Sequence, residues 1–318
     1  MTRRSRWQAF LLVGSSLMSN MVTAAPQMYP GRMDPGVSGP VHEVPQAPAY
    51  NQDNMAAQKP SQYNGDYMPA PELNSQAEPS ALRTGKEPVS FGMVLFPGYE
   101  PLDVMGPLQI LFRLSMSTPI NLSLIAAQTG SVSAQPPAAE LQGMALAAPQ
   151  IIATHTFANA PKLDMLMVPG GWGMLLLADK NDTSIDQFVQ ARFPELQYLL
   201  SVCTGAISLA KAGVLKGKKA TTNKSGWSII TKYGEGINWV PTARWTEDGK
   251  VWTSSGVAAG IDMTYAFFNK IYGPQIMKDV MNDMEYAPHT NPNYDPFSVV
   301  FNVPGAVASR TDECPQPL

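Results

Sequence analysis

Cysteine and histidine are scarce in this chain. Among 318 residues there are two cysteines, Cys203 and Cys314, and three histidines, His42, His155 and His289. Ligands this few and this scattered provide no metal-binding spacing, and two cysteines make no disulfide framework. Charge is also low: 15% of residues are charged, and the formal net charge is -3. No basic stripe relieves that balance, which excludes the electrostatic footprint of a nucleic-acid binder. Beyond the N-terminus no apolar run approaches the roughly 18 residues that would span a bilayer.

Proline, by contrast, is abundant and unevenly spread, with 29 residues in all. Its distribution divides the chain. Arg3, Arg4 and Arg6 precede a short apolar run, Ala9 to Met18, and Val22-Thr23-Ala24 then presents small residues. That order predicts a signal peptide over residues 1–24, cut between Ala24 and Ala25, and hence a secreted or exported protein with no membrane attachment after cleavage. Residues 25–88 are rich in Pro, Gln and Asn and lack apolar periodicity. Such a segment cannot bury enough surface to offset its ordering entropy and reads as a disordered linker, with His42 solvated inside it.

The texture changes at Val89. Val89 to Phe96 reads as a strand closed by Pro97-Gly98, and Leu102 to Leu114 as a helix with Asp103 near its start. Ile120 to Ala127 is a second strand, followed by short extended stretches near Val132 and Ile151-Ile152. His155 falls in a surface loop. Leu163 to Val168 reads as a buried strand ending in Pro169-Gly170-Gly171-Trp172-Gly173. Thr183 to Phe193 is a helix capped by Thr183 or Asp182. Asp248-Gly249 signals a hairpin, and Val257 to Tyr272 and Pro274 to Met284 are the last helices. Strands alternating with helices predict an α/β domain over residues 89–284 with a mostly parallel sheet. Residues 285–318 read as a loose tail.

Tyr198 to Ala212 carries the strongest chemical signal. An apolar strand, Tyr198 to Val202, stops at Cys203, and small residues and a helical run follow. Strand, sharp turn and helix are the setting of a nucleophile elbow. A cysteine there lies beside a helix N-terminus, whose free N–H groups favour a thiolate. In a parallel sheet, ligands gather at the carboxyl ends of the strands. The turns after Phe96, after Val168 and at Cys203 therefore converge. Asp103 can then hold a proton near the sulfur, because burial and like charge raise a carboxyl beside a thiolate. Gly170 and Gly171, with the N–H of Thr204, can form an anion hole and substrate-binding loop. Trp172, Trp227 and Trp252 are candidates for an apolar pocket or for core. Cys203 is expected free, because nothing aligns it with Cys314.

These residues carry a resemblance. The stretches F-P-G-Y-E-P-L-D-V-M-G-P (Phe96 to Pro107), D-M-L-M-V-P-G-G-W-G (Asp164 to Gly173) and S-V-C-T-G-A (Ser201 to Ala206) occur in order. They are followed by A-G-V-L-K-G-K-K-A-T-T-N (Ala212 to Asn223) and T-S-S-G-V-A-A-G-I-D-M (Thr253 to Met263). Together they resemble the ThiJ/PfpI superfamily, relatives of class I glutamine amidotransferase domains, and within it the isonitrile hydratase-like branch. The resemblance implies a flavodoxin-like three-layer sandwich, Cys203 as nucleophile, Asp103 as its acid partner, and Gly170, Gly171 and Thr204 at the anion hole. It also implies a possible homodimer. Many members carry a histidine just after the A-T-T segment, where this chain has Asn223. That departure argues against cysteine–histidine chemistry of the glyoxalase or protease kind.

The activity implied is hydration of a small-molecule isonitrile to an N-substituted formamide by Cys203 and Asp103, with no cofactor. The competing readings are a glyoxalase- or amidohydrolase-like enzyme, which needs another base, and a non-catalytic or redox-sensing domain.

Overall fold

The computed structural model describes residues 87–137 and 148–306. The expected signal segment, nearly all of the linker, and Cys314 lie outside the described residues.

The first half of the domain runs β1 (Ser90–Val94), α1 (Pro101–Ser115), β2 (Asn121–Ala126), β3 (Gly130–Ser133), β4 (Gln150–Ala153) and β5 (His155–Thr156). Next come β6 (Met165–Val168), α2 (Trp172–Asp179), α3 (Ser184–Arg192), β7 (Tyr198–Val202), a 3-10 turn over Cys203–Gly205, and α4 (Ala206–Lys211). The remainder is β8 (Lys219–Ala220), α5 (Trp227–Ile230), β9 (Asn238–Trp239), β10 (Trp245–Asp248), β11 (Val251–Ser254), α6 (Val257–Tyr272), α7 (Pro274–Asp283) and α8 (Phe297–Val300).

Seven strands form the main sheet in the order β10-β11-β7-β6-β1-β2-β5. All neighbours are parallel except β10 and β11, the hairpin signalled by Asp248-Gly249, whose turn is Gly249-Lys250. Parallel central strands are covered on both faces, so they read as unbroken apolar runs. The M-L-M-V of β6 is buried at every position. Helices α1, α6 and α7 pack together, and α2, α3 and α4 form a second group; the two flank the sheet. The architecture is the flavodoxin-like α/β sandwich that the resemblance implied.

This order makes β7, β6 and β1 immediate neighbours. The turns at Cys203, after Val168 and after Phe96 therefore leave adjacent strands on one edge, as the strand-end argument required.

Three expectations are corrected. Trp172–Asp179 is a helix, where the sequence reading stopped at a glycine turn. His155 is in β5, an edge strand separated from β7 by three others, rather than in a surface loop. Its ring contacts Thr154 Oγ1 at 2.8 Å. Finally, residues 285–306 are docked rather than loose. Their backbone bonds the domain through Arg244 N–H to Pro292 O and Asp295 N–H to Thr242 O, each at 2.8 Å. The His289 N–H donates to Asp262 Oδ1 at 3.0 Å, and the Tyr286 hydroxyl donates to the same oxygen. Tyr286 packs on the core and Val303 is buried, but most of the segment's anchors are backbone and polar groups, which leave no regular apolar period for a sequence reading to find.

Candidate active site

Cys203 occupies the elbow between β7 and the 3-10 turn, with φ of 57°. A side-chain-bearing residue in this left-handed region is strained by about 1 kcal/mol or more, and such strain gathers at functional turns. Two backbone bonds hold the strained residue. Its N–H donates to Ser255 O at 2.9 Å, and its carbonyl accepts the Thr222 hydroxyl at 2.8 Å. The partners follow β8 and β11, of which only β11 adjoins β7, so the elbow is set by tertiary structure as well as by its own turn. The thiol is free and only 7% exposed.

Asp103 lies in the first turn of α1, which opens at Pro101. It is wholly buried. Its Oδ2 accepts the Gly170 N–H at 2.8 Å, while Oδ1 is buried with no hydrogen-bond partner. Burial pushes the carboxyl up to about 8; the Gly170 bond opposes the rise and the Glu100 charge adds to it. At neutral pH the group is therefore a neutral acid with one free oxygen. Its position is more specific than that of a helix-terminal carboxylate favoured by the macrodipole, which would remain ionised at the surface.

Burial also pushes the Cys203 thiol well up, and the charge of an ionised Asp103 reinforces this. The Thr204 N–H and the Asn223 side chain pull the other way by bonding the sulfur. This reverses the expectation of a resting thiolate. The helix behind the elbow is one 3-10 turn and six α residues, and full burial of the sulfur outweighs what so short a helix contributes. Sulfur and carboxyl both keep their protons at neutral pH.

Gly170, Gly171 and Thr204 meet as expected, but in a different role. The Gly170 N–H is taken by Asp103, and the Gly171 N–H donates to Thr204 Oγ1 at 2.8 Å. The Thr204 hydroxyl in turn donates to Gly171 O at 3.1 Å. Neither glycine N–H is free for an oxyanion. The loop instead ties the acid to the elbow: one glycine holds Asp103, and the next holds the residue after Cys203. Glycine is required at 170 for space. A Cβ there would lie 2.6 Å from Thr204 N and 2.8 Å from Cys203 Cβ.

Asn223 stands where a histidine was looked for. Its Oδ1 accepts the Ser225 hydroxyl at 2.6 Å and the Gly226 N–H at 2.8 Å. With the oxygen committed, the amide nitrogen is left facing the sulfur, and Asn223 acts as a donor to Cys203 rather than as a base. Sequence reasoning used Asn223 only as an absence. It also missed Glu100, a half-buried carboxyl one residue before α1 whose burial raises its own pKa and whose charge acts on both Asp103 and Cys203. The E-P-L-D spelling around Pro101, with a second acid in the same turn, was the available signal.

A pocket of about 220 Å³ adjoins this cluster, lined in part by Asn223, Ser255 and Gly256 and by Phe297 and Phe301 of the docked C-terminal segment. The tryptophans considered for such a pocket are elsewhere. Trp252 is buried against Phe267 at 5.4 Å between ring centres, Trp227 packs on Trp239, and Trp172 opens α2.

As an arrangement of atoms, the site can add sulfur and hydrogen to one electrophilic carbon. Asp103 Oδ1 supplies a proton, Cys203 supplies the sulfur, and the thiol proton can restore the carboxyl.

The sequence model of the DJ-1/PfpI family matches residues 90–270. Isonitrile hydratase of Pseudomonas putida is 30% identical over 201 residues, covering 63% of this chain and 79% of that protein. The HTH-type transcriptional regulator GbdR of Pseudomonas aeruginosa is 29% identical over 120 residues, covering 37% of this chain but 31% of the regulator. Among solved structures, a ThiJ/PfpI family protein from Pseudomonas syringae superposes with a TM-score of 0.53 at 26% identity, over 68% of this chain and 85% of that one. The matched span runs from β1 into the last turns of α6 and so contains every strand that carries the cysteine, the acid and the glycine loop; this chain belongs to the DJ-1/PfpI family.

Proposed function

We propose that the protein is a cysteine-dependent hydratase that converts an isonitrile to an N-substituted formamide, with Cys203 as nucleophile and Asp103 as proton donor. The observation that carries the reading is the neutral, buried Asp103 carboxyl whose free oxygen accompanies the elbow thiol. An isonitrile carbon takes a nucleophile and a proton at the same atom, which is what a paired thiol and carboxylic acid deliver. Asp103 protonates the terminal carbon as Cys203 sulfur bonds to it, and the thiol proton passes back to Asp103. The product is a thioimidate, R–N=CH–S–Cys. Water then adds to its carbon while nitrogen takes a proton. The tetrahedral adduct expels the sulfur, which recovers its proton as R–NH–CHO leaves. The similarity to an isonitrile hydratase supports the substrate class.

Asn223 beside the sulfur, with its oxygen engaged, supports this chemistry over glyoxalase- or amidohydrolase-like alternatives, because an acid-led addition needs no resting thiolate. A ligand-sensing reading draws on the similarity to GbdR, which extends over about a third of that regulator. A redox-sensing role fits poorly, since oxidation favours exposed thiols of low pKa, and this one is buried and raised.

The test is turnover on methyl and cyclohexyl isonitriles, methylglyoxal and small amides, by wild type, Cys203→Ser and Asp103→Asn. The reading expects formamide from the isonitriles alone and a loss of at least a thousandfold in Cys203→Ser. Undiminished isonitrile turnover by that variant would falsify the mechanism.

A further inference from the structure

Phe297 opens α8 and Phe301 follows its last residue, four positions on and on the same face of a single helical turn. They remain 45% and 50% exposed. The turn that carries them is nevertheless firmly seated. Asp295 and Ser298 are buried beneath it, the Phe297 N–H donates to Asp295 Oδ1 at 3.1 Å, and the Val303 N–H donates to Ser298 O at 2.9 Å. A fixed pair of half-bare aromatic rings thus walls the 220 Å³ pocket opposite Asn223 and Ser255. Those two residues are the ones that bond the sulfur and the backbone N–H of Cys203. The pocket therefore has apolar lining from the rings and polar lining from Asn223 and Ser255, the residues in contact with Cys203.

Its charge is equally telling. Lys224 also lines it, but its ammonium is spent: it donates to Thr221 Oγ1 at 2.6 Å, Ala243 O at 2.8 Å and Thr222 O at 3.3 Å, with Asp295 at 3.9 Å. The nearby Arg244 is engaged by Asp262 at 2.6 Å. Among the described residues that line the pocket, no cation is left over for a carboxylate or phosphate on the ligand, and the charges of Glu100 and Asp103 act on the sulfur. A cavity of roughly 150 Å³ is enough to hold benzene, so this one has room for a single ring and a short reacting group.

We infer that the pocket walled by Phe297 and Phe301 is the subsite for an uncharged, apolar, single-ring substituent, aryl or cycloalkyl, on the molecule that reacts at Cys203. The identity of the reacting group rests on the hydratase reading; the subsite does not, and the experiment separates them. Two ratios are measured on wild type, Phe297→Ala and Phe301→Ala. One is kcat/KM for cyclohexyl against methyl isonitrile. The other is the alkylation rate of Cys203 by N-cyclohexylmaleimide against N-methylmaleimide, with near-UV circular dichroism checking that each variant is folded. Wild type should favour the cyclohexyl member of both pairs, and each alanine variant should lower that ratio about tenfold, the loss of roughly half a ring's contact area. A maleimide ratio that behaves this way without isonitrile turnover leaves the subsite standing and defeats the hydratase reading. A wild type with no cyclohexyl preference in alkylation, or folded variants that keep it, overturns the subsite.

Discussion

Replacing Asp103 by Asn should make the protein more stable, and by an amount that depends on pH. The carboxyl has its ordinary value of 3.8 in the unfolded chain and about 8 in the fold, because burial disfavours its charge. Between these values the folded state holds a proton that the unfolded state has released. Stability contributed by the protonated group is therefore fully present below about pH 4 and is lost as pH rises towards 8. One proton of difference corresponds to a slope of about 1.4 kcal/mol per pH unit. Asparagine keeps an oxygen for the Gly170 N–H and cannot ionise. The stability difference between Asp103→Asn and wild type should thus grow by about 1.4 kcal/mol for each unit from pH 5 to 7, then level off beyond about 8, a total on the order of 5 kcal/mol. Carboxylates that the fold depresses, such as Asp164 and Asp182, are common to both proteins and cancel in the difference. Cys203 keeps its proton in both states over most of this range. Urea unfolding at pH 5, 6, 7, 8 and 9 supplies the measurement. A difference that stays flat with pH means that Asp103 is ionised in the fold, and the neutral-acid argument then collapses.

The same proton governs rate. Hydratase kcat/KM should fall as pH rises through about 8, where Asp103 ceases to be an acid, and the pH profile of any residual activity in Asp103→Asn should lack that limb. Gly170→Ala should lose activity and several kcal/mol of stability by calorimetry, because its Cβ would lie 2.6 Å from Thr204 N and cannot be relieved by side-chain movement. Asp295→Ala should expose the C-terminal segment to limited proteolysis. It strips the carboxylate from a buried Lys224 and costs about 3 kcal/mol, whereas Lys224→Met with Asp295→Asn should cost much less. Alkylation of Cys203 by iodoacetamide should stay slow until pH exceeds 9, in line with a buried thiol; fast alkylation at pH 7 would contradict the structure's account of the sulfur.

What the sequence made legible follows from how local each signal is. Helix α6 has the predicted bounds, since an amphipathic run enclosed by Gly256 and Gly273 depends on little outside itself. The Asp248-Gly249 hairpin and the Tyr198–Val202 strand were equally local. Helix α2 was not, because W-G-M-L-L-L-A-D is apolar nearly throughout and shows no period behind its glycine turn. The C-terminal segment was misjudged for a related reason. Its partners, Thr242, Arg244 and Asp262, lie dozens of residues away and are polar, so no hydropathy pattern marks them. At the site, residue identities and the proton on Asp103 were readable, but the state of the thiol was not. A helix N-terminus can be inferred from a turn, whereas the burial that keeps Cys203 protonated exists only once the sheet and helices close over it.

Asn223 fills the place beside the sulfur where the resemblance led to a histidine. A histidine beside the sulfur would accept its proton and create a nucleophile before substrate arrives, which suits carbonyl and amide carbons that need attack first. Asn223 accepts nothing from the sulfur, because its oxygen is held by Ser225 and Gly226. Its amide donates to sulfur, and that bond is worth most when negative charge reaches the sulfur atom. Charge of that kind arises as the thioimidate adduct collapses and the cysteine leaves. On the proposed hydratase reading, Asp103 protonates the carbon as the sulfur adds, and Asn223 and the Thr204 N–H steady the departing sulfur afterwards. An isonitrile carbon, which accepts a proton and a nucleophile at one centre, is the electrophile that this proposed sequence calls for.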